Sequence, residues 1–90
     1  MPLLHVPQEL RAYCGGAESV ELEGETISEL INQLAARFPE LGSRVLDASG
    51  ALAPHILVIQ NDAVLRSSEV AQARVSADDE LRLMSAVSGG

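Results

Sequence analysis

The 90-residue chain contains no lysine and no tryptophan, and it has a single cysteine. Six arginines stand against thirteen acidic residues, which leaves a formal net charge of -7. Such an acidic balance argues against phosphate backbones and anionic membranes as partners, so neither nucleic acid nor membrane is expected, and a basic protein partner is favoured. Aromatics are nearly missing: Tyr13 and Phe38 are the only two. Base stacking therefore has almost no platform, and the core must be built from Leu, Val and Ile. With Cys14 alone, neither an intramolecular disulfide nor a multi-cysteine metal site can form, which fits a reducing compartment. No apolar run approaches membrane-spanning length. The start, Met1-Pro2-Leu3-Leu4-His5, lacks the basic and long apolar segments of a secretion signal. The expectation is a soluble, cytoplasmic protein in which residues 1–90 form one small domain.

What is present is a clear alternation of elements. Leu3 to Val6 is a short apolar run ended by Pro7, consistent with a first strand. Gln8 to Cys14 is a connection whose form the pattern leaves open. Gly15-Gly16 supplies the positive φ of a turn, and Val20-Glu21-Leu22-Glu23 then alternates apolar with acidic, as a strand with one wet face does. Thr26 and Glu29 have the spacing of a capping box, in which side chain and backbone at a helix start satisfy each other's orphan amides. Ile27, Leu30, Ile31, Leu34, Ala35 and Phe38 follow as one helical face, and Pro39 ends it. Leu41 to Leu46 suits a short helical turn, and Asp47 to Gly50 a loop. Ile56-Leu57-Val58-Ile59, within His55 to Gln60, is the most β-prone run and is expected in a central strand. Asn61-Asp62 signals a turn before a short strand at Ala63 to Leu65. Ser67 to Ser76 reads as irregular with a brief turn. After the acidic turn Asp78-Asp79-Glu80, a last alternating strand, Leu81 to Met84, leads into Ser85 and the tail.

The predicted order is strand, strand, helix, strand, short strand, strand. One helix over a small mixed sheet is an α+β, ubiquitin-like β-grasp arrangement, with the first hairpin and the last strand side by side in the middle of the sheet. On that platform the final residues, Ala86-Val87-Ser88-Gly89-Gly90, read as a flexible, projecting tail. Two terminal residues without Cβ atoms can enter a channel too narrow for side chains, and they end in an unhindered carboxylate. A sequence that merely stops at Gly-Gly by accident is the alternative.

The residues Gly15-Gly16, Asn61-Asp62 with Arg66, Asp79-Glu80 and the ending Leu81 to Gly90 carry a resemblance over the whole chain. The sequence resembles the MoaD/ThiS family of ubiquitin-like sulfur carriers. Leu10-Arg11 before Gly15-Gly16 is most similar to the carriers for cysteine and thio-metabolite biosynthesis. The small subunit of molybdopterin synthase and the thiazole-pathway carrier are the alternatives within the family. Ser85 stands where such carriers often have Pro, and Asp78 where they often have Gly. The resemblance implies a non-catalytic carrier with no bound cofactor. An adenylating enzyme would use ATP to activate the Gly90 carboxylate, a persulfide or sulfide donor would convert it to a thiocarboxylate, and a sulfur-accepting synthase would consume it. Gly89 would give access to the channel. A ubiquitin-like modifier joined through Gly90 to a target amine needs the same activation, and a plain interaction domain with an incidental tail is a third possibility. The missing lysines leave an activated Gly90 no side-chain amine of its own to acylate, or else they reflect arginine-biased codon usage.

A docking face follows from strand parity. If Leu81, Leu83, Ile56 and Val58 face the helix, then Leu57, Ile59, Arg82 and Met84 face outward and form, with Ala86, Val87 and Ser88 of the tail, a partner-binding surface. A covering loop or reversed parity would remove it. Cys14 is read as a structural residue, since sulfur carried on a carboxylate needs no thiol. His5 and His55 are read as strand residues without the companions of a metal site or triad. Glu18, Glu21, Glu23 and Glu25 are read as a solvated face.

Overall fold

Helix α1 (Ile27–Arg37) begins at the expected cap. Thr26 Oγ1 accepts from the Glu29 N–H at 3.2 Å, and Glu29 Oε1 accepts from the N–H groups of Thr26 and Glu25 at 3.3 and 2.7 Å. The reciprocal bonds use donors that a helix start otherwise leaves unpaired. Ile27, Leu30, Ile31 and Leu34 are buried on one face, whereas Ala35 and Phe38 are only half-buried. Pro39 stops α1 and also starts α2 (Pro39–Val45), because its fixed φ and missing N–H suit the first position of a helix. The short turn expected at Leu41 to Leu46 is thus a two-turn helix. Gly42 is what lets it lie close to α1. A Cβ at Gly42 would sit 2.6 Å from the Cβ and 2.9 Å from the Cα of Ala35. Gly42→Ala should therefore force the two helices apart and cost about 1–3 kcal/mol, read as a lower urea midpoint with unchanged slope. An unaltered midpoint would contradict the close contact.

The computed structural model describes residues 1–85. Its strands are β1 (Leu3–His5), β2 (Ser19–Glu21), β3 (Ile56–Gln60), β4 (Ala63–Leu65) and β5 (Glu80–Ser85), joined in one sheet of order β2-β1-β5-β3-β4. Strands β1 and β5 are parallel, and the other pairs are antiparallel. One expectation about this sheet needs correcting. The first hairpin does not sit in the middle as a unit, because β2 is an edge strand and only β1 lies beside β5. Strand β3 is interior, as expected, and β5 is the middle strand of the five. Strands β1, β5 and β3 each bond on both edges, and parallel pairing with β1 is what gives β5 its second partner.

The undecided segment Gln8–Cys14 is a 3-10 helix that ends at Gly15 and Gly16, with φ of +70° and +84°. Both angles lie where a side chain would be strained. Cys14 is buried there, with its thiol 3.5 Å from the carbonyls of Arg11 and Ala17. The strand expected over Val20 to Glu23 ends at Glu21, although the Leu22 N–H still bonds to the Pro2 carbonyl at 3.1 Å. The stretch after β4 contains a one-turn helix, α3 (Ser67–Val70), which buries Val70. Backbone bonds from Ile27 to Ala73 and from Val75 to Glu25 tie the segment after it to the start of α1. His55 is exposed in the turn before β3 rather than within a strand. The core runs from Leu4 to Leu83, entirely apolar and mostly aliphatic, with α1 packed over the inner face of the sheet.

Candidate functional site

The end of β5 is the point from which the tail departs, so the question is what holds that strand and what surrounds it. At its start, Asp79 works as a clasp. Its carboxylate accepts from the Ser76 N–H at 2.8 Å, the Gln60 side-chain amide at 3.0 Å and the Asn61 side-chain amide at 3.2 Å. Asn61, at φ +54°, accepts from the Glu80 N–H at 3.1 Å and donates its own N–H to the Glu80 carbonyl at 2.8 Å. The Asn61 and Asp79-Glu80 elements of the sequence pattern are therefore two halves of one hydrogen-bonded brace, which locks the turn after β3 to the entry of β5.

Those donors, led by the Ser76 N–H, hold the Asp79 carboxyl below its ordinary pKa of 3.8. A lowered folded pKa means that the brace contributes fully above the ordinary value and is lost as pH falls below it toward the folded value. Asp79→Ala should cost about 1 kcal/mol at neutral pH. The difference from the parent should shrink below about pH 3.8, as followed by urea unfolding at several pH values. A gap that stayed constant into acid would show that the charge is not what the donors recognise.

Beyond the brace, the sheet parity follows the alternation. Ile56, Val58, Leu81 and Leu83 are buried, while Leu57 and Ile59 are half-buried and Arg82 and Met84 exposed on the opposite face. The register sets Leu57 against Met84 and Ile59 against Arg82. The four sheet residues named from the sequence thus form two neighbouring cross-strand pairs on one open face. Val64, opposite Ile59 on β4, extends the apolar strip. Three large hydrophobics are exposed among the described residues, and two of them, Val64 at 57% and Met84 at 43%, lie here. Ala86, Val87, Ser88, Gly89 and Gly90, the other expected site residues, lie outside the described residues.

Sequence reasoning missed two contributors. His5, on β1 opposite Arg82, carries its Nε2 2.9 Å from Glu80 Oε1 on the same face. Parity in Leu4 and Val6 would have turned His5 outward, but only the parallel β1–β5 pairing brings it beside Arg82. Val64 could have been found the same way had its strand partner been known. Among the described residues no group of three or more His, Cys, Asp or Glu could hold a metal ion, and no helix is long and apolar enough to cross a membrane. Glu18, Glu21, Glu23 and Glu25 are all exposed. The geometry is that of a braced strand flanked by an apolar strip with one arginine, a surface suited to binding.

Comparison with known proteins agrees with that fold and extends to the end of the chain. The model of the ThiS family matches residues 4–90. Sulfur carrier protein CysO of Mycobacterium tuberculosis (strain ATCC 25618 / H37Rv) is 30% identical over 87 residues, which cover 94% of either protein. Among solved structures, the matching chain of the Amycolatopsis orientalis BexX/CysO complex has a TM-score of 0.87 and 32% identity over 100% of both chains. SAMP1 of Haloferax volcanii, a small archaeal modifier protein, has a TM-score of 0.79 and 28% identity over 99% of this chain and 98% of that one. With a family match over nearly its whole length and the five-stranded mixed sheet crossed by α1, this chain belongs to the ThiS family and has the ubiquitin-like β-grasp fold.

Proposed function

We propose that this chain is a sulfur carrier whose working group is the carboxylate of Gly90. The observation that carries the reading is the ThiS-family match, which runs through the Gly-Gly ending to residue 90, on a strand braced at one end and paired along both edges. The carboxylate oxygen attacks the α-phosphorus of ATP, held by a separate adenylating enzyme, and pyrophosphate leaves. Sulfide then adds to the acyl carbon and AMP departs, leaving the thiocarboxylate. With a persulfide donor, the acyl disulfide formed is opened by a second thiol, which takes the donor's sulfur as a new disulfide. A sulfur-accepting synthase finally receives the same tail. Tethering gives the nucleophilic sulfur a high effective concentration at that site.

The chain itself supplies no catalytic group in this scheme: it binds no cofactor, presents Gly90, and offers the face of Leu57, Ile59, Arg82 and Met84 for docking beside the exit of the tail. The pattern of Leu10-Arg11 and Gly15-Gly16 favours the synthesis of cysteine or another thio-metabolite, in the cytoplasm, over molybdopterin or thiazole, and the similarity to a sulfur carrier protein, CysO, supports the carrier reading. A second reading, a protein modifier joined through Gly90, draws on the likeness to the small archaeal modifier.

Intact-mass measurement separates the two. After incubation with ATP, the cognate adenylating enzyme and a sulfur donor, the carrier gains the mass difference of one oxygen exchanged for one sulfur. The modifier instead appears in covalent adducts with other proteins. No change with an enzyme shown to be active would overturn both.

A further inference from the structure

The overall charge of -7 suggests a basic partner, but the surface beside the end of β5 gathers two of the six arginines. A groove of about 410 Å3 runs between the end of β1, the 3-10 helix and the end of β5. Two of its lining residues, Arg11 and Arg82, are cationic, and His5 lines it too, with its ring bonded to Glu80. Pro7 and Met84 supply apolar surface, and Glu18 is the one acid on its rim. Arg11 is held in place by its Nε–H, which donates to the Val6 carbonyl at 3.0 Å. Glu80, the acid nearest in sequence to Arg82, is taken by His5 at 2.9 Å, and this is the one ion-pair contact among the described residues. Both guanidinium groups therefore face the groove without a carboxylate within ion-pair distance, although acids outnumber arginines two to one in the chain. Two planar guanidinium cations without an ion-pair partner, flanking apolar surface, match a carboxylate set beside an aliphatic side chain.

We infer that this groove binds an acidic, leucine-type peptide segment of the protein that receives the tail. The identity of that protein rests on the carrier reading, whereas the binding chemistry does not. Charge complementarity here sets orientation: the acidic remainder of the surface repels the same segment, so a partner with an acidic lip engages only where the tail leaves the sheet. The global charge then selects against wrong docking rather than for a basic partner.

Titration of the 15N-labelled full chain with a ten-residue peptide of Asp, Leu and Gly tests this without any enzyme. The expected amide shifts fall at His5, Val6, Arg11 and Arg82 to Met84, and they weaken as salt rises past about 0.15 M. Arg82→Glu and Arg11→Glu should each weaken binding about ten-fold. Because Arg11 also bonds the backbone, Arg82→Glu, at an exposed site, serves as the variant whose folding is not in question. Shifts confined to the acidic segment 18–25, equal shifts from a Lys, Leu and Gly peptide, or no shifts would each overturn the proposal. Equal shifts from inorganic phosphate at matched ionic strength would overturn it in favour of a small-anion site. Failure of the mass measurement above, with these shifts present, would remove the carrier reading and leave the groove.

Discussion

Deletion of Gly90 should abolish thiocarboxylate formation while leaving the thermal midpoint where it was. The two halves of this expectation have separate physical grounds. Every buried side chain of the described core lies between Leu4 and Leu83, and a glycine adds no side chain to it, so folding has nothing to lose. The deletion still leaves a terminal carboxylate, on Gly89. That carboxylate sits one residue, about 3.3 Å, short of where the full tail would put it. Misplacement of a reacting group by about 1 Å can cost on the order of 10²-fold in rate, and a full residue exceeds that. It also brings the Ser88 side chain one step nearer to the reacting end, where the proposed mechanism calls for a channel with room only for glycine. Gly90→Ala is the milder companion: it keeps the length and adds one methyl beside the reacting carbon, so it should slow the reaction without abolishing it. Intact mass against time, at saturating ATP and sulfur donor, reads both. If the shortened chain is thiolated at the parental rate, the reacting end is not positioned by the tail and the mechanism proposed here is wrong. If it melts lower, Gly90 has a structural role that the carrier reading does not include.

The second large effect concerns the strand that bears the tail. Leu83→Ala should destabilise the domain by about 3 kcal/mol, because Leu83 is fully buried opposite Val58 at the centre of the sheet and its removal leaves a cavity that two packed strands cannot collapse. At roughly 4–8 °C per kcal/mol for a domain of this size, the melting temperature should drop by at least about 12 °C. Met84→Ala, one residue further along, should change stability by less than about 1 kcal/mol, since Met84 points outward and is 43% exposed. Its effect should appear instead in docking, as a weaker complex with the adenylating enzyme. The pair forms a sharp test of parity, measured by thermal unfolding and by titration. Equal destabilisation by both changes would mean that the outer face is covered, and an indifferent Leu83→Ala would contradict the core as described.

Local codes made much of this chain legible. The capping box at Thr26 and Glu29, the apolar stripe that follows, and the alternation in Leu81 to Met84 are each set by neighbours within four residues, so the helix and the alternation of the last strand could be read without knowing the fold, and the structure then settled which side faces the core. The motif pattern pointed to the family for a similar reason: its parts are short, and they include the residues of the Asn61–Asp79 brace. What could not be read was pairing across long separations. Nothing near His5 says that β1 will run parallel to β5, seventy-five residues away. Without that, neither the central place of β5, the edge position of β2, nor the bond from His5 to Glu80 could be foreseen. The close approach at Gly42 was hidden too, because it depends on where Ala35 of another helix comes to rest.

The sequence by itself determined the fold class, the capped helix, the alternation of the last strand and the absence of any side-chain amine. Only the tertiary structure decided which side of that alternation faces the core and what lies beside β5. Parallel pairing of β1 with β5 gathers Arg11, His5 and Arg82 around one groove and sets His5 against Glu80. An acidic chain thereby places two of its arginines around the end of β5. Net charge is a sum over residues and composition yields it directly, whereas the local field depends on which residues the fold makes neighbours.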